Sequence, residues 1–186
     1  MVAYPYSSRI PDAIDALVAA FTAAFAGSDS WPQGRVFVRD GPWLAAESGG
    51  AYAQDMAVGW SGFYPGYQYP TRSLSEELGE ATATATNLEG GLAPGQEETF
   101  SIDCASLVQT GADPSSAEWS LLRHLAYGNI AAAAAFVSDP LNDGYLAGTV
   151  EKLVFARTNS LHQVPQRRGV LVIAAFTLEC VSQTQR

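Results

Sequence analysis

The stretch Gly169 to Val181, GVLVIAAFTLECV, constrains the fold more than any other part of the chain. Successive side chains of a strand point to opposite faces, so Val170, Val172, Ala174, Phe176, Leu178 and Cys180 line one face from end to end. The other face is apolar only at its start, at Leu171 and Ile173, and turns polar at Thr177 and Glu179. Such a strand begins between two layers and ends nearer solvent, as a central strand of a sheet does.

Two helical patterns supply a layer to cover it. In residues 8 to 27, SRIPDAIDALVAAFTAAFAG, the apolar side chains of Ile10, Ile14, Leu17, Val18, Phe21 and Phe25 recur at helical intervals and form one stripe. Ser8 is the expected N-cap, Pro11 is tolerated in the first turn, and Gly27 suits the left-handed residue that ends a helix. Residues 114 to 138 form the second pattern, with Asp113 as expected N-cap and Pro114 at the first helical position. Leu121, Leu125, Ala132 and Phe136 make its stripe, flanked by Trp119, Leu122, Ala126, Ile130 and Val137, while Arg123, His124 and Tyr127 fall largely opposite. The alanine run 131 to 135 and Gly128 allow a close approach to a neighbouring backbone, as in tight packing of a helix on a sheet.

Further strands are expected at 35 to 38, where the turn signal Asp40-Gly41-Pro42 follows, at 54 to 60, and at 149 to 157. The segment 158 to 169, TNSLHQVPQRRG, reads as a polar connection. Two weaker strands remain. EATATAT at 80 to 86 and EETFSIDC at 97 to 104 both alternate with period two. Paired as a hairpin, they place Ala81, Ala83 and Ala85 with Phe100, Ile102 and Cys104 on one face, and Thr82, Thr84 and Thr86 with Thr99, Ser101 and Asp103 on the other. Burying three alanines contributes little at roughly 25 cal/mol per Å² of apolar area, so the base of the ribbon should continue the central sheet and its outer half should lean on another chain. The joining segment 87 to 96 is rich in glycine and suits a tip. Before it, residues 61 to 71 hold four aromatic, two proline and two glycine residues, which read as an ordered loop that either recognises a partner or packs down on its own domain. The expected fold is therefore α/β in the α+β sense: a mixed, mainly antiparallel central sheet packed by two amphipathic helices, with a projecting β-hairpin. One domain over 1 to 186, with an excursion at about 61 to 104, accommodates all of it.

Composition excludes several functions. With 10 Lys and Arg against 19 Asp and Glu, the chain carries a formal charge of −9, the wrong sign for a general nucleic-acid binder. An acidic wall past which DNA slides without sticking remains compatible. Apolar runs fall short of the ~20 residues that span a bilayer, and the N-terminal residues lack the order of a secretion signal; a soluble protein made in the cytoplasm is expected. The two cysteines, Cys104 and Cys180, fall on apolar strand faces and read as buried free thiols, with a disulfide between neighbouring strands as the alternative. His124 and His162, the only histidines, have no cysteine at ligand spacing, so neither a metal nor another cofactor is expected. GWSG at 59 to 62 lacks a residue of the nucleophile elbow, and neither a phosphate loop, an HExxH helix nor a dinucleotide fingerprint is present. The pair Glu97-Glu98 reads as solvated charge. On these grounds the chain is not expected to be an enzyme.

The order of parts, helix, two short strands, excursion, long helix and two strands, resembles the tail terminator proteins of long-tailed bacteriophages with flexible, non-contractile tails. SSRIPDAIDALVAAF at 7 to 21, DGP at 40 to 42, AVGW at 57 to 60, EETFSIDCASLVQTGAD at 97 to 113, DPLNDGYLAGTVEKLVFA at 139 to 156 and RRGVLVIAAFTLEC at 167 to 180 carry the resemblance in order along nearly the whole chain. The region 61 to 96 is longer than the family pattern leads one to expect. The resemblance implies a virion structural protein that forms a hexameric ring on the last ring of tail tube protein, stops tube polymerisation and joins the head-side connector or stopper protein at the tail-neck junction. Genomic DNA then passes through its channel without specific binding. Ring closure would draw first on the hairpin (Thr82, Thr84, Thr86, Asn87, Glu89, Thr99, Ser101, Asp103), then on the aromatic loop (Tyr64, Tyr67, Tyr69) and then on Arg167 and Arg168 of the 158 to 168 connection. The alternatives are a head-to-tail stopper or adaptor of the neck, a tail tube subunit, or a small hydrolase or ligand-binding α/β domain.

Overall fold

A computed structural model describes residues 8–28, 34–41, 53–59, 97–110, 115–138, 145–165 and 169–183. In chain order they form α1 (Ile10–Ala24), β1 (Val36–Asp40), β2 (Ala53–Val58), β3 (Glu97–Thr110), α2 (Ser116–Val137), β4 (Lys152–Pro165) and β5 (Val170–Gln183). The strands make one sheet in the order β1-β2-β3-β5-β4. Only β1 and β2 run parallel; the other pairs are antiparallel. This is the mixed, mainly antiparallel sheet with two packed helices that the sequence leads one to expect, and β5 occupies the inner position its two-sided apolar pattern requires.

Both helices lie on one face of the sheet and against each other. The stripe of α1 buries Ala13, Leu17 and Phe21 completely. Phe21 meets Phe176 of β5 at a centroid distance of 6.4 Å, and Phe155 of β4 stacks on Phe176 at 5.4 Å, so three rings join a helix to two strands. From α2, Leu122, Ala126 and Ala133 are fully buried, while Leu121, Ala132 and Phe136 of the expected stripe are only half-buried, so the helix turns the flanking line of its pattern to the sheet; His124 and Tyr127 are exposed, as expected. A Cβ placed on Gly128 would meet nothing within 4 Å, so close approach does not explain this glycine. Cys104 and Cys180 face the helices as buried, unbridged thiols.

Both helix starts depart from expectation. Arg9, not Ser8, occupies the N-cap of α1 and caps nothing with its side chain. Ser8 Oγ accepts the N–H of Ile10 at 3.1 Å and donates to Glu98, whose Oε2 accepts the N–H of Arg9 at 2.9 Å. Glu98 is thus half-buried and caps the helix from a distant strand, rather than being a solvated charge. At α2 the N-cap is Ser115, two residues beyond the expected Asp113. Ser115 Oγ accepts the N–H of Glu118 at 3.4 Å, and Glu118 accepts the N–H of Ser115 at 2.6 Å. This reciprocal capping box satisfies two otherwise orphan donors, and the hydrogen bonds hold the Glu118 carboxyl below its ordinary pKa.

Two strands are longer than their sequences suggest. β3 continues through Thr110 instead of turning after Cys104, because Cys104 to Gln109 pair with β2 on one side and β5 on the other. β4 continues through Pro165, so most of the expected polar connection is strand. Two register shifts, between Phe155 and Arg157 and between Thr158 and Ser160, absorb the irregularity. An edge strand tolerates polar side chains and a terminal proline because one side of its backbone need not pair.

A buried polar cluster fixes the relation of helix to sheet. Asn129 Nδ2 of α2 donates to Gln54 Oε1 at 3.2 Å and to Ser106 Oγ at 3.3 Å, and Gln54 Nε2 donates to the Gly34 carbonyl at 3.3 Å. All three side chains are fully buried. Among the described residues no helix is long and apolar enough to cross a membrane.

Candidate functional site

The second face of the sheet carries no described helix, and this is where the described members of the expected interface lie. Alternation along β3 turns Thr99, Ser101 and Asp103 to this face, opposite Val181, Glu179 and Thr177 of β5. Their exposure grades inward: Thr99 is exposed, Ser101 half-buried and Asp103 buried. Thr177 Oγ1 donates to Asp103 Oδ1 at 2.9 Å. Burial raises the Asp103 carboxyl above its ordinary pKa, and the Thr177 hydrogen bond opposes the rise. Beyond Asp103 the face becomes apolar, with Ala105, Leu107, Ala175, Ile173 and Leu171 buried. The three residues are brought together with β5.

The expected partner of this strand, with Thr82, Thr84, Thr86, Asn87 and Glu89, lies outside the described residues, as do Tyr64, Tyr67, Tyr69, Arg167 and Arg168. β2 pairs with β3 only along 104 to 109, so among the described residues the β3 segment 97 to 103 is paired on its β5 side alone.

The two ends of the sheet differ in chemistry. At one end, β1 and the residue before it put Arg35, Phe37 and Arg39 on the second face. The Arg35 guanidinium lies 5.0 Å from the Phe37 ring centroid and that of Arg39 lies 6.0 Å away, so two cations flank one ring that is 39% exposed. Arg39 Nε also pairs with the buried Asp55 carboxylate of β2 at 3.2 Å. On the helix side of β1, a groove of about 410 Å³ runs to the end of α1 between Phe25, Ser28, Val36 and Val38. At the other end, β4 exposes Val154, which lies opposite the exposed Glu179 of β5, with exposed Glu151 and Lys152 nearby. Further along β4, Leu161 is also exposed, and Arg123 of α2 braces the strand by donating to Gln163 at 2.9 Å.

The Arg-Phe-Arg ladder has a sequence signal in the alternation of RVFVR at 35 to 39, which the reading of 35 to 38 as a short strand passes over. The roles of Glu98 and Asn129 have none, because their partners are 89 and 75 residues away.

Burial pushes the Cys104 thiol up, and the Cys180 thiol up to about 12, so both stay protonated at neutral pH and neither offers a thiolate. Among the described residues no three of His, Cys, Asp and Glu gather as they would to hold a metal ion. Neither protein-family models nor curated proteins give a match to the chain.

Proposed function

We propose that this chain is a tail terminator, a ring-forming virion protein that caps the tail tube, ends its polymerisation and joins the tail to the head-side connector. The observation that carries the reading is the open sheet: among the described residues its outermost strands, β1 and the fourteen-residue β4, are each paired on one side only, at opposite ends of a sheet whose helices occupy a single face. A ring closes through heterologous contacts, in which one patch of a subunit meets a different patch of the next, and two distinct sheet edges suit that geometry. An open sheet with two amphipathic helices supports the terminator reading over a neck stopper built as a small barrel.

Charge agrees with a channel for DNA. Six copies at −9 each carry −54. An acidic wall repels phosphate within a Debye length of about 10 Å at 0.1 M salt, which favours passage over attachment.

The test is the mass of the purified protein in solution, followed by electron microscopy after mixing with tail tubes. Rings in solution or at tube ends, and tubes of defined length, are expected. A stable monomer that never binds tube ends sinks the proposal.

A further inference from the structure

We infer that the two ends of the sheet are complementary halves of one interface between copies of this chain, the Arg35-Phe37-Arg39 ladder of one copy meeting the Glu179-Val154 patch of the next. The inference rests on the ring reading above and names the surfaces that close it.

Three observations lead to this pairing. First, the patches lie toward opposite ends of the sheet: the ladder on β1, and Val154 on β4 with Glu179 on its neighbour β5, three to four strand spacings of ~4.8 Å away, or roughly 14–19 Å across the sheet. Contacts at opposite ends of a sheet propagate head to tail, whereas two copies of one edge would close a dimer and stop. Second, the patches match in kind. Phe37 is 39% exposed between two guanidinium groups, and Val154 is 38% exposed beside the Glu179 carboxylate, so each has an apolar centre and a charged margin of opposite sign. Glu151 adds to the acidic margin and Lys152 subtracts from it. Third, the basic patch is held in shape before any partner arrives. Arg39 is tethered to buried Asp55, and both guanidinium groups lie against the ring between them, so less side-chain freedom is lost on docking. In a chain with 10 basic residues, two flanking an exposed ring on an edge strand make a distinctive surface.

The occupant is therefore a second copy of the chain. Nucleic acid, the other ligand an Arg-Phe-Arg ladder could attract, serves as a control in the test.

Charge reversal with rescue tests the interface. Arg35→Glu and Glu179→Arg alter exposed side chains, and circular dichroism with thermal melting checks that each variant is folded. Each single reversal is expected to weaken subunit association by roughly 10- to 100-fold in sedimentation, because like charges then face each other. Combining both reversals in one chain restores the pairing with exchanged signs and is expected to recover most of the loss. Phe37→Ser, folded by the same criteria, is expected to weaken association without rescue by Glu179→Arg. Single reversals that assemble like the wild type, or a double reversal no better than its parents, overturn the interface. So does a ladder whose loss abolishes binding of a DNA oligonucleotide while assembly is untouched. Rings that respond to these substitutions as expected but ignore tube ends leave the interface standing and overturn the capping function instead.

Discussion

Glu98, at the start of β3, accepts a hydrogen bond from the backbone N–H of Arg9 at 2.9 Å, and the two residues are 89 positions apart. The carboxylate stands where the positive end of the α1 dipole and its orphan N–H groups converge. Glu98→Ala leaves those donors to water and is expected to lower unfolding free energy by about 1–2 kcal/mol. Urea denaturation measures the loss, and a loss within error of zero shows that the contact contributes nothing.

Asn129 joins α2 to β2 and β3 from a fully buried position. Asn129→Ala removes the amide that donates to Gln54 Oε1 and Ser106 Oγ, and a cost of about 2–3 kcal/mol is expected. Asn129→Ala combined with Ser106→Ala should cost less than the sum of the two single changes, since each alone already breaks the hydrogen bond they share. Additive losses across these variants, measured by chemical denaturation, would contradict a coupled cluster.

Asp103 makes the pH dependence specific. Its folded pKa is raised by burial above the ordinary 3.8, so between that value and the raised one the folded chain binds more protons than the unfolded chain. Stability contributed by this group therefore falls as pH rises through the window, the reverse of the usual salt-bridged carboxylate. Asp103→Asn keeps an acceptor for Thr177 and removes the titration. The variant is expected to gain stability relative to wild type as pH rises from 4 to neutrality, and a constant difference across thermal melts in that range rules the effect out.

Deletion of residues 87 to 96, which lie outside the described residues, is expected to leave the circular dichroism spectrum of the sheet and helices intact while weakening ring formation or tube capping. Normal capping by the deletion variant, seen by electron microscopy, removes this segment from the assembly.

Thr99, Ser101 and Asp103 could be placed on one polar face from period two alone, because every second residue of a strand shares a face whatever its partner. The identity of that partner could not. β5 supplies it, and with it both the burial that raises the Asp103 pKa and the Thr177 hydrogen bond that opposes the rise. The same limit applies to the Arg-Phe-Arg ladder: alternation in RVFVR puts three side chains on one side, but only the sheet order makes that side the end of a sheet, opposite Glu179 and Val154.

By itself the sequence determined the elements with strong periodicity: the buried stripe of α1, the exposure of His124 and Tyr127 on α2, the inner position of β5 and the burial of both cysteines. These follow from which side chains must leave water, a property that each segment carries locally. Tertiary structure alone decided where β3 and β4 end, which residues cap the helices, and which polar groups meet inside. Strand length depends on whether a neighbour's backbone is there to pair, as β5 is for the polar half of β4. A cap such as Glu98, or a brace such as Asn129, acts only once the fold has closed the distance to its partner.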